Sequence, residues 1–102
     1  MTETPLRDRR QAVIVDPLGL HLRPAAKLVS LAQSFRSEIR VICKGTTANG
    51  KSLLDLASLA AECGTTLEIV AHGPDAEEAV AALTDLISAG HNGSVNPGVA
   101  AA

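Results

Sequence analysis

The sequence predicts a single α+β domain, in which helices cover one face of an antiparallel sheet. The chain has 102 residues, enough for one small hydrophobic core. Segments with alternating apolar residues are interleaved with segments that repeat apolar residues at helical spacing. Because both kinds of segment have one apolar face, we expect the helices to pack on one side of the sheet, with water on the other side.

Four strands and three helices are predicted, in the order β-α-β-β-α-β-α. The first strand is QAVIVD, residues 11–16, which is rich in Val and Ile and is stopped by DPLG. A helix follows from Pro24 to about Ser34, where apolar residues recur at helical spacing. Residues 37–45 alternate apolar and charged side chains and form the second strand. Residues 46–50 form a short strand or turn that ends at Asn-Gly.

The second half of the chain continues the alternation. The segment KSLLDLASLAAECG, residues 51–64, returns to helical spacing, and Gly64 is a suitable stop just past its end. Residues 65–73 are β-branched and apolar, which predicts a further strand. The last helix starts at Pro74 and ends at Gly90, and residue types at both ends suit helix termini.

The two ends of the chain lack these patterns. We expect a flexible leader over residues 1–9, a domain over residues 10–90 and a flexible tail over residues 91–102. The amino terminus is polar and has no apolar signal segment. No apolar run approaches the ~20 residues of a membrane span. We therefore expect a cytoplasmic protein without membrane insertion.

Composition argues against several classes of function. The net charge is −2 and the chain has one Phe, no Trp and no Tyr, so it offers neither a basic surface nor stacking platforms for nucleic acid. Cys43 and Cys63 are too far apart for a CxxC pair, and we expect both to be buried free thiols. No two histidines or cysteines have ligand spacing, so neither a metal site nor another cofactor is predicted.

The stretch DPLGLHLRPAAKLV places His21 and Arg23 at the start of the first helix. The first backbone N–H groups of a helix have no partners within it and carry the positive end of its dipole. This positive potential favours a neutral, nucleophilic ring, and the amides and Arg23 suit a phosphoryl group attached to it. Pro24 fits the geometry of the helix start. Spacing alone also allows a structural interpretation, with His21 a loop residue and Arg23 a solvated charge.

Ser52 precedes the second predicted helix, and Asp55 follows three residues later. This spacing predicts that Ser52 is an N-cap with Asp55 as its capping-box partner.

Two segments resemble those of the HPr family, the histidine-containing phosphocarrier proteins of the bacterial sugar phosphotransferase system. GLHLRPAAKLV resembles the family's active-site segment, and NGKSLLDLASLAAECGT resembles the segment around its regulatory serine. The likeness covers about residues 11–89. It implies an HPr-like open-faced β-sandwich, with a four-stranded antiparallel sheet and three helices on one face. In this family the first helix begins just after the histidine, slightly earlier than Pro24.

The resemblance implies a chemical role for each motif. His21 would accept a phosphoryl group on Nδ1 from phosphorylated enzyme I, and Arg23 would stabilise it. The group would then pass to an A-type component of a sugar-specific enzyme II. Such a protein is a phosphoryl carrier rather than a stand-alone turnover enzyme, and we expect it to be a monomer. Ser52 would be a regulatory site for a serine kinase and phosphatase.

Partner-binding residues are expected around both motifs. Leu22 departs from the family pattern, where a smaller or polar residue is common. An alternative role remains open: a regulatory phosphoprotein of a nitrogen-type or kinase-linked branch, which acts by binding partners rather than by sugar transport. The sequence does not separate the two roles and does not identify the sugar. The expected partner-binding residues are Leu22, Lys27, Leu53, Leu54 and Leu56.

Overall fold

A computed structural model describes residues 6–89 and contains a four-stranded antiparallel sheet with three helices. The strand order in the sheet is β1-β4-β2-β3, so β4 and β2 are central. The predicted order of elements, β-α-β-β-α-β-α, is confirmed. The elements are β1 Arg7–Val13, α1 Leu22–Gln33, β2 Glu38–Cys43, β3 Thr46–Asn49, α2 Leu53–Ser58, β4 Thr66–His72 and α3 Ala76–Ala89.

One face of the sheet builds the core together with the helices. Val41 of β2 lies opposite Ile69 of β4, and Ile39 lies opposite Ala71; all four are buried. Their neighbours along each strand point to the other face, where Arg9 pairs with Glu68. Alternate residues of a strand point to opposite faces, so the predicted apolar and polar alternation is what separates core from solvent. The buried helix residues in this core are Ala25, Leu28, Val29, Ala32, Leu56, Ala76, Ala79, Val80, Leu83 and Ile87.

The first strand begins earlier than predicted. β1 starts at Arg7, and residues 7–9 pair with β4, so these residues belong to the sheet and not to a leader. The segment RDRR was not predicted as strand because its residues are charged and no apolar residues alternate with them. An edge strand tolerates such residues, since its side chains reach water. Residues 1–5 and 90–102 lie outside the described residues, so the flexible ends remain predictions.

The second helix ends earlier than predicted. α2 stops at Ser58 rather than near Gly64, and Ala60 adopts a positive φ of 50° just beyond it. The following loop is held by backbone hydrogen bonds from Leu20 N–H to the Ala61 carbonyl and from Gly64 N–H to the Ile14 carbonyl, both 2.8 Å long. These contacts with a distant segment compete with further helical turns, and periodicity within residues 51–64 could not reveal them.

The cysteines occupy different environments. Cys43 is buried as expected, whereas Cys63 is exposed, because the shortened α2 leaves it in a loop. Among residues 6–89 no group of three or more His, Cys, Asp and Glu side chains is placed to hold a metal ion. No helix in the same range is long and apolar enough to cross a membrane.

A carboxylate joins the loop before β2 to the loop before α3. Asp75 accepts hydrogen bonds from the Arg36 and Ser37 amides, at 2.8 and 2.9 Å, and from the Ser37 hydroxyl at 2.5 Å. Ser37 is 1% exposed, so its polar groups depend on this contact. The Ser37 hydroxyl, followed by the Arg36 amide, lowers the pKa of Asp75 from 3.8 to about 2.

We predict that Asp75→Asn destabilises the fold at neutral pH and weakens its acid dependence. Because the pKa of Asp75 is depressed in the folded state, its ionised form stabilises the fold above pH 3.8, and this contribution is lost as the pH falls to about 2. Urea unfolding at a series of pH values measures this. The two proteins should differ most above pH 4 and converge near pH 2. Asp85→Asn, which removes an exposed carboxylate of α3, is the control. A constant difference across this range would contradict the prediction.

Candidate functional site

His21 is the N-cap of α1 and lies at the protein surface. Its backbone is extended, with φ −80° and ψ −175°, and its side chain makes no capping hydrogen bond. The side chain is 36% exposed. The helix starts at Leu22, two residues before the predicted start at Pro24. Pro24 is the third helical residue, where a missing N–H breaks no helical hydrogen bond, so it does not delay the helix.

The start of α1 leaves backbone donors next to the ring. The first helical hydrogen bond runs from Ala25 N–H to the His21 carbonyl and is 3.0 Å long. Within residues 6–89 the amides of Leu22 and Arg23 have no hydrogen-bond acceptor, and Pro24 has no N–H. Two backbone amides therefore remain for an external anion, at the positive end of the helix dipole.

Two cations lie on the first turns of α1. Arg23 and Lys27 are exposed and four residues apart, and so they share one side of the helix. Neither side chain forms an ion pair within the described part of the chain. The charge of Arg23 is thus not neutralised by an ion pair within residues 6–89, and its predicted contact with an anion stays a prediction. Lys27 adds a second positive charge one turn further along the helix.

The loop before His21 is tightly folded. The Asp16 carbonyl accepts from Gly19 N–H at 2.8 Å, and the Asp16 carboxylate accepts from Leu18 N–H at 3.0 Å. Gly19 has a φ of +75°, and a Cβ there would lie 2.4 Å from the Ala61 carbonyl oxygen. Glycine is therefore required both by the backbone conformation and by the close approach of the neighbouring segment.

Asp16 is a site residue that sequence analysis missed. Its Oδ1 lies 3.6 Å from Nε2 of His21, and its side chain is only 18% exposed. The sequence pattern identified Asp16 only as the first residue of DPLG, the segment that ends the first predicted strand. An Asp followed by Pro-x-Gly is typical of a turn in which the carboxylate binds the backbone two residues on. That signal predicts a fixed carboxylate, but only the fold brings it to the ring.

Ser52 is the N-cap of α2, as predicted. Its hydroxyl oxygen accepts from Asp55 N–H at 3.2 Å, and the Asp55 carboxylate accepts from Asn49 N–H at 3.0 Å. Asp55 therefore reaches back past the N-cap instead of closing the capping box on the Ser52 amide. The Lys51 ammonium donates to the Phe35 carbonyl at 2.7 Å, which places the start of α2 beside the end of α1.

The expected partner-binding leucines fall into two groups. Leu22 and Leu54 are 62% and 81% exposed, and Leu53 is 37% exposed. Leu56 is fully buried in the core, so its assignment to a partner surface was wrong. Its side chain lies on the inner side of α2. Sequence analysis also missed Leu18, which is 76% exposed on the loop before His21.

Comparison with known proteins gives consistent matches. Residues 9–89 match the family model "PTS HPr component phosphorylation site". Phosphocarrier protein HPr of Neisseria meningitidis is 44% identical over 75 residues, which cover 74% of this chain and 84% of that protein. The crystal structure of HPr from Bacillus anthracis superposes with a TM-score of 0.76 and 34% identity, covering 79% of this chain and 96% of that one.

A further similar structure is Crh, a catabolite repression protein of Bacillus subtilis whose crystal structure is a domain-swapped dimer. It is 35% identical, with a TM-score of 0.67, and the match covers 72% of this chain and 85% of that one.

We predict that Gly19→Ala destabilises the protein more than an alanine at an open glycine position does. Left-handed backbone costs a residue with a Cβ about 1–2 kcal/mol. The overlap with the Ala61 carbonyl adds about 1–3 kcal/mol. Gly45→Ala is the matched control, since Gly45 has a φ of +85° but no atom lies within 4 Å of the point that its Cβ would occupy. Denaturant unfolding measures both variants, and equal losses would show that the close approach to Ala61 is unimportant.

Proposed function

The chain belongs to the PTS HPr family of phosphocarrier proteins, and we propose that His21 is the residue that carries the phosphoryl group. One observation carries this assignment: within the segment that matches the family's phosphorylation site, an accessible imidazole is the N-cap of a helix with two unpartnered amides. The imidazole of His21 and the backbone donors that can bind an anion thus lie together at the start of α1.

The proposed step is a phosphoryl transfer between a donor protein and the ring. The lone pair of Nδ1 forms a bond to phosphorus, and the bond from phosphorus to the donor breaks with its electron pair leaving on the donor atom. Negative charge spreads over the three phosphoryl oxygens during the transfer. The amides of Leu22 and Arg23 are placed at this end of the helix, and the Arg23 guanidinium is free to make planar contacts with the oxygens.

Phosphorylated enzyme I is the proposed donor, and an A-type component of enzyme II is the proposed acceptor. Both must approach the same exposed ring, so this chain acts as a monomeric carrier whose partners complete each reaction site. Exposed Leu22 beside the ring, and Leu53 and Leu54 on α2, supply apolar contact area. Lys27 adds positive charge, which favours an acidic partner surface.

Ser52 is the proposed regulatory site. It is half-buried at the start of α2, directly before the exposed Leu53 and Leu54. A phosphate there would add negative charge and bound water to a surface that must lose water when a partner binds. The similarity to Crh, a catabolite repression protein, supports the alternative in which the chain works mainly through regulated partner binding.

We predict that His21 takes up label from phosphoenolpyruvate in the presence of enzyme I. The bond should be labile to acid and stable to base, and His21→Ala should take up none. Arg23→Lys should retain labelling at a lower rate, by about tenfold, because an ammonium replaces several planar contacts with one point charge. Labelling rates by autoradiography measure this.

A surface variant provides the control for that experiment. Glu78→Gln removes an exposed carboxylate near the start of α3, beside Arg7 and so at the other end of β1 from the His21 loop, and it should be labelled like the wild type. Label that survives acid, or that persists in His21→Ala, would overturn the assignment of His21.

A negative charge at Ser52 should slow phosphorylation of His21. We expect Ser52→Asp to accept the phosphoryl group from enzyme I about tenfold or more slowly, through weaker association. Ser52→Asn is the matched control, because Asn caps helices as well as Asp does but carries no charge. The initial rate of labelling at several enzyme I concentrations measures the effect. Equal rates for Asp and Asn would argue against electrostatic regulation at this residue.

A further inference from the structure

The carboxylate of Asp16 faces one nitrogen of the His21 ring and leaves the other nitrogen free. Oδ1 lies 3.6 Å from Nε2, and Nδ1 has no hydrogen-bond partner within residues 6–89. The separation is longer than a hydrogen bond, so the carboxylate acts on the ring through its charge. The ring is therefore placed between an anion on one side and an open approach on the other.

The position of Asp16 is fixed before any partner arrives. The same Oδ1 accepts from Leu18 N–H at 3.0 Å, and the Asp16 carbonyl accepts from Gly19 N–H at 2.8 Å. The side chain is only 18% exposed, which limits screening by solvent. Asp16 is thus a constrained carboxylate rather than a mobile surface charge.

We propose that Asp16 is a positioning residue for phosphoryl transfer at His21, an inference that rests on the proposed function. A neutral imidazole carries its proton on one nitrogen and its lone pair on the other. With a carboxylate beside Nε2, the proton is stabilised on Nε2, and the lone pair is kept on Nδ1, where the phosphoryl group approaches. In the opposite tautomer, the lone pair would lie on Nε2 and would face the negatively charged carboxylate.

Asp16 also balances the charge that the reaction creates. When the Nδ1 lone pair of a neutral ring bonds to phosphorus, Nε2 keeps its proton and the ring acquires a positive charge. That charge is delocalised over both nitrogens and lies next to the Asp16 carboxylate. The phosphoryl group is attached at the other nitrogen, Nδ1. Asp16 therefore stabilises the positively charged ring, while the amides and Arg23 stabilise the phosphoryl group.

Asp16→Asn tests the negative charge of Asp16 separately from its structural role in the turn. Asn retains a side-chain oxygen that accepts from Leu18 N–H, so the turn is preserved while the negative charge is removed. Glu78→Gln is the matched control, because it removes an exposed carboxylate near the start of α3, at the other end of β1 from Asp16. Amide NMR spectra of both variants check that the fold is retained.

The direct measurement is the tautomer of His21, read from long-range proton–nitrogen NMR correlations of the imidazole in uniformly labelled protein. We expect the wild type and Glu78→Gln to hold the neutral ring with its proton on Nε2. In Asp16→Asn the population should shift toward the form with the proton on Nδ1. The rate of phosphorylation by enzyme I should fall about tenfold, the factor that corresponds to 1.36 kcal/mol of lost charge stabilisation.

A wild-type ring with its proton mainly on Nδ1 would overturn the inference, and that measurement needs no variant. Unchanged tautomer populations and unchanged rates in Asp16→Asn would overturn it as well. These results differ from failure of the proposed function, in which the wild type takes up no label on His21. The tautomer is measured without enzyme I, so it decides the role of Asp16 in either case.

Discussion

Three backbone hydrogen bonds between residues 14–20 and residues 61–65 hold the segment that carries His21. They join Ile14 N–H to Thr65 O, Gly64 N–H to Ile14 O, and Leu20 N–H to Ala61 O, at 2.8–3.0 Å. The last one lies directly before His21, so it fixes where α1 begins and which way its first amides face. Gly19 makes this contact possible because a side chain would overlap with the Ala61 carbonyl. The end of the molecule that carries His21 is thus built by a loop-to-loop contact, and the sheet supplies rigidity.

Patterns with a period of two or 3.6 residues were sufficient to predict the element order and the apolar face of β2. They were insufficient where a contact with a distant segment decided the outcome. Arg7–Val13 forms a strand because β4 offers an edge to pair with, although its first residues are charged. Leu56 was assigned to a partner surface, yet the orientation of α2 turns it into the core.

The same limit applies to the site. His21, Arg23 and Pro24 were identified together because they are neighbours in one short motif, and Ser52 was recognised as a cap from its spacing to Asp55. Asp16 lies five residues before His21, and nothing in that spacing indicates a contact. A turn closed by Gly19 folds the chain back so that the carboxylate meets the ring. Residues joined by a turn of this kind are found from coordinates rather than from periodicity.

Pro24 limits the number of main-chain donors that the start of α1 offers to an anion. A helix without proline there would expose three free amides in its first turn, whereas this one exposes two, from Leu22 and Arg23. In the proposed function, the phosphoryl oxygens would therefore lack a donor at Pro24, and the guanidinium of Arg23, water or a group from the incoming protein would have to replace it. A phosphoryl group held in this way would leave more readily than one whose oxygens all receive hydrogen bonds from the carrier itself.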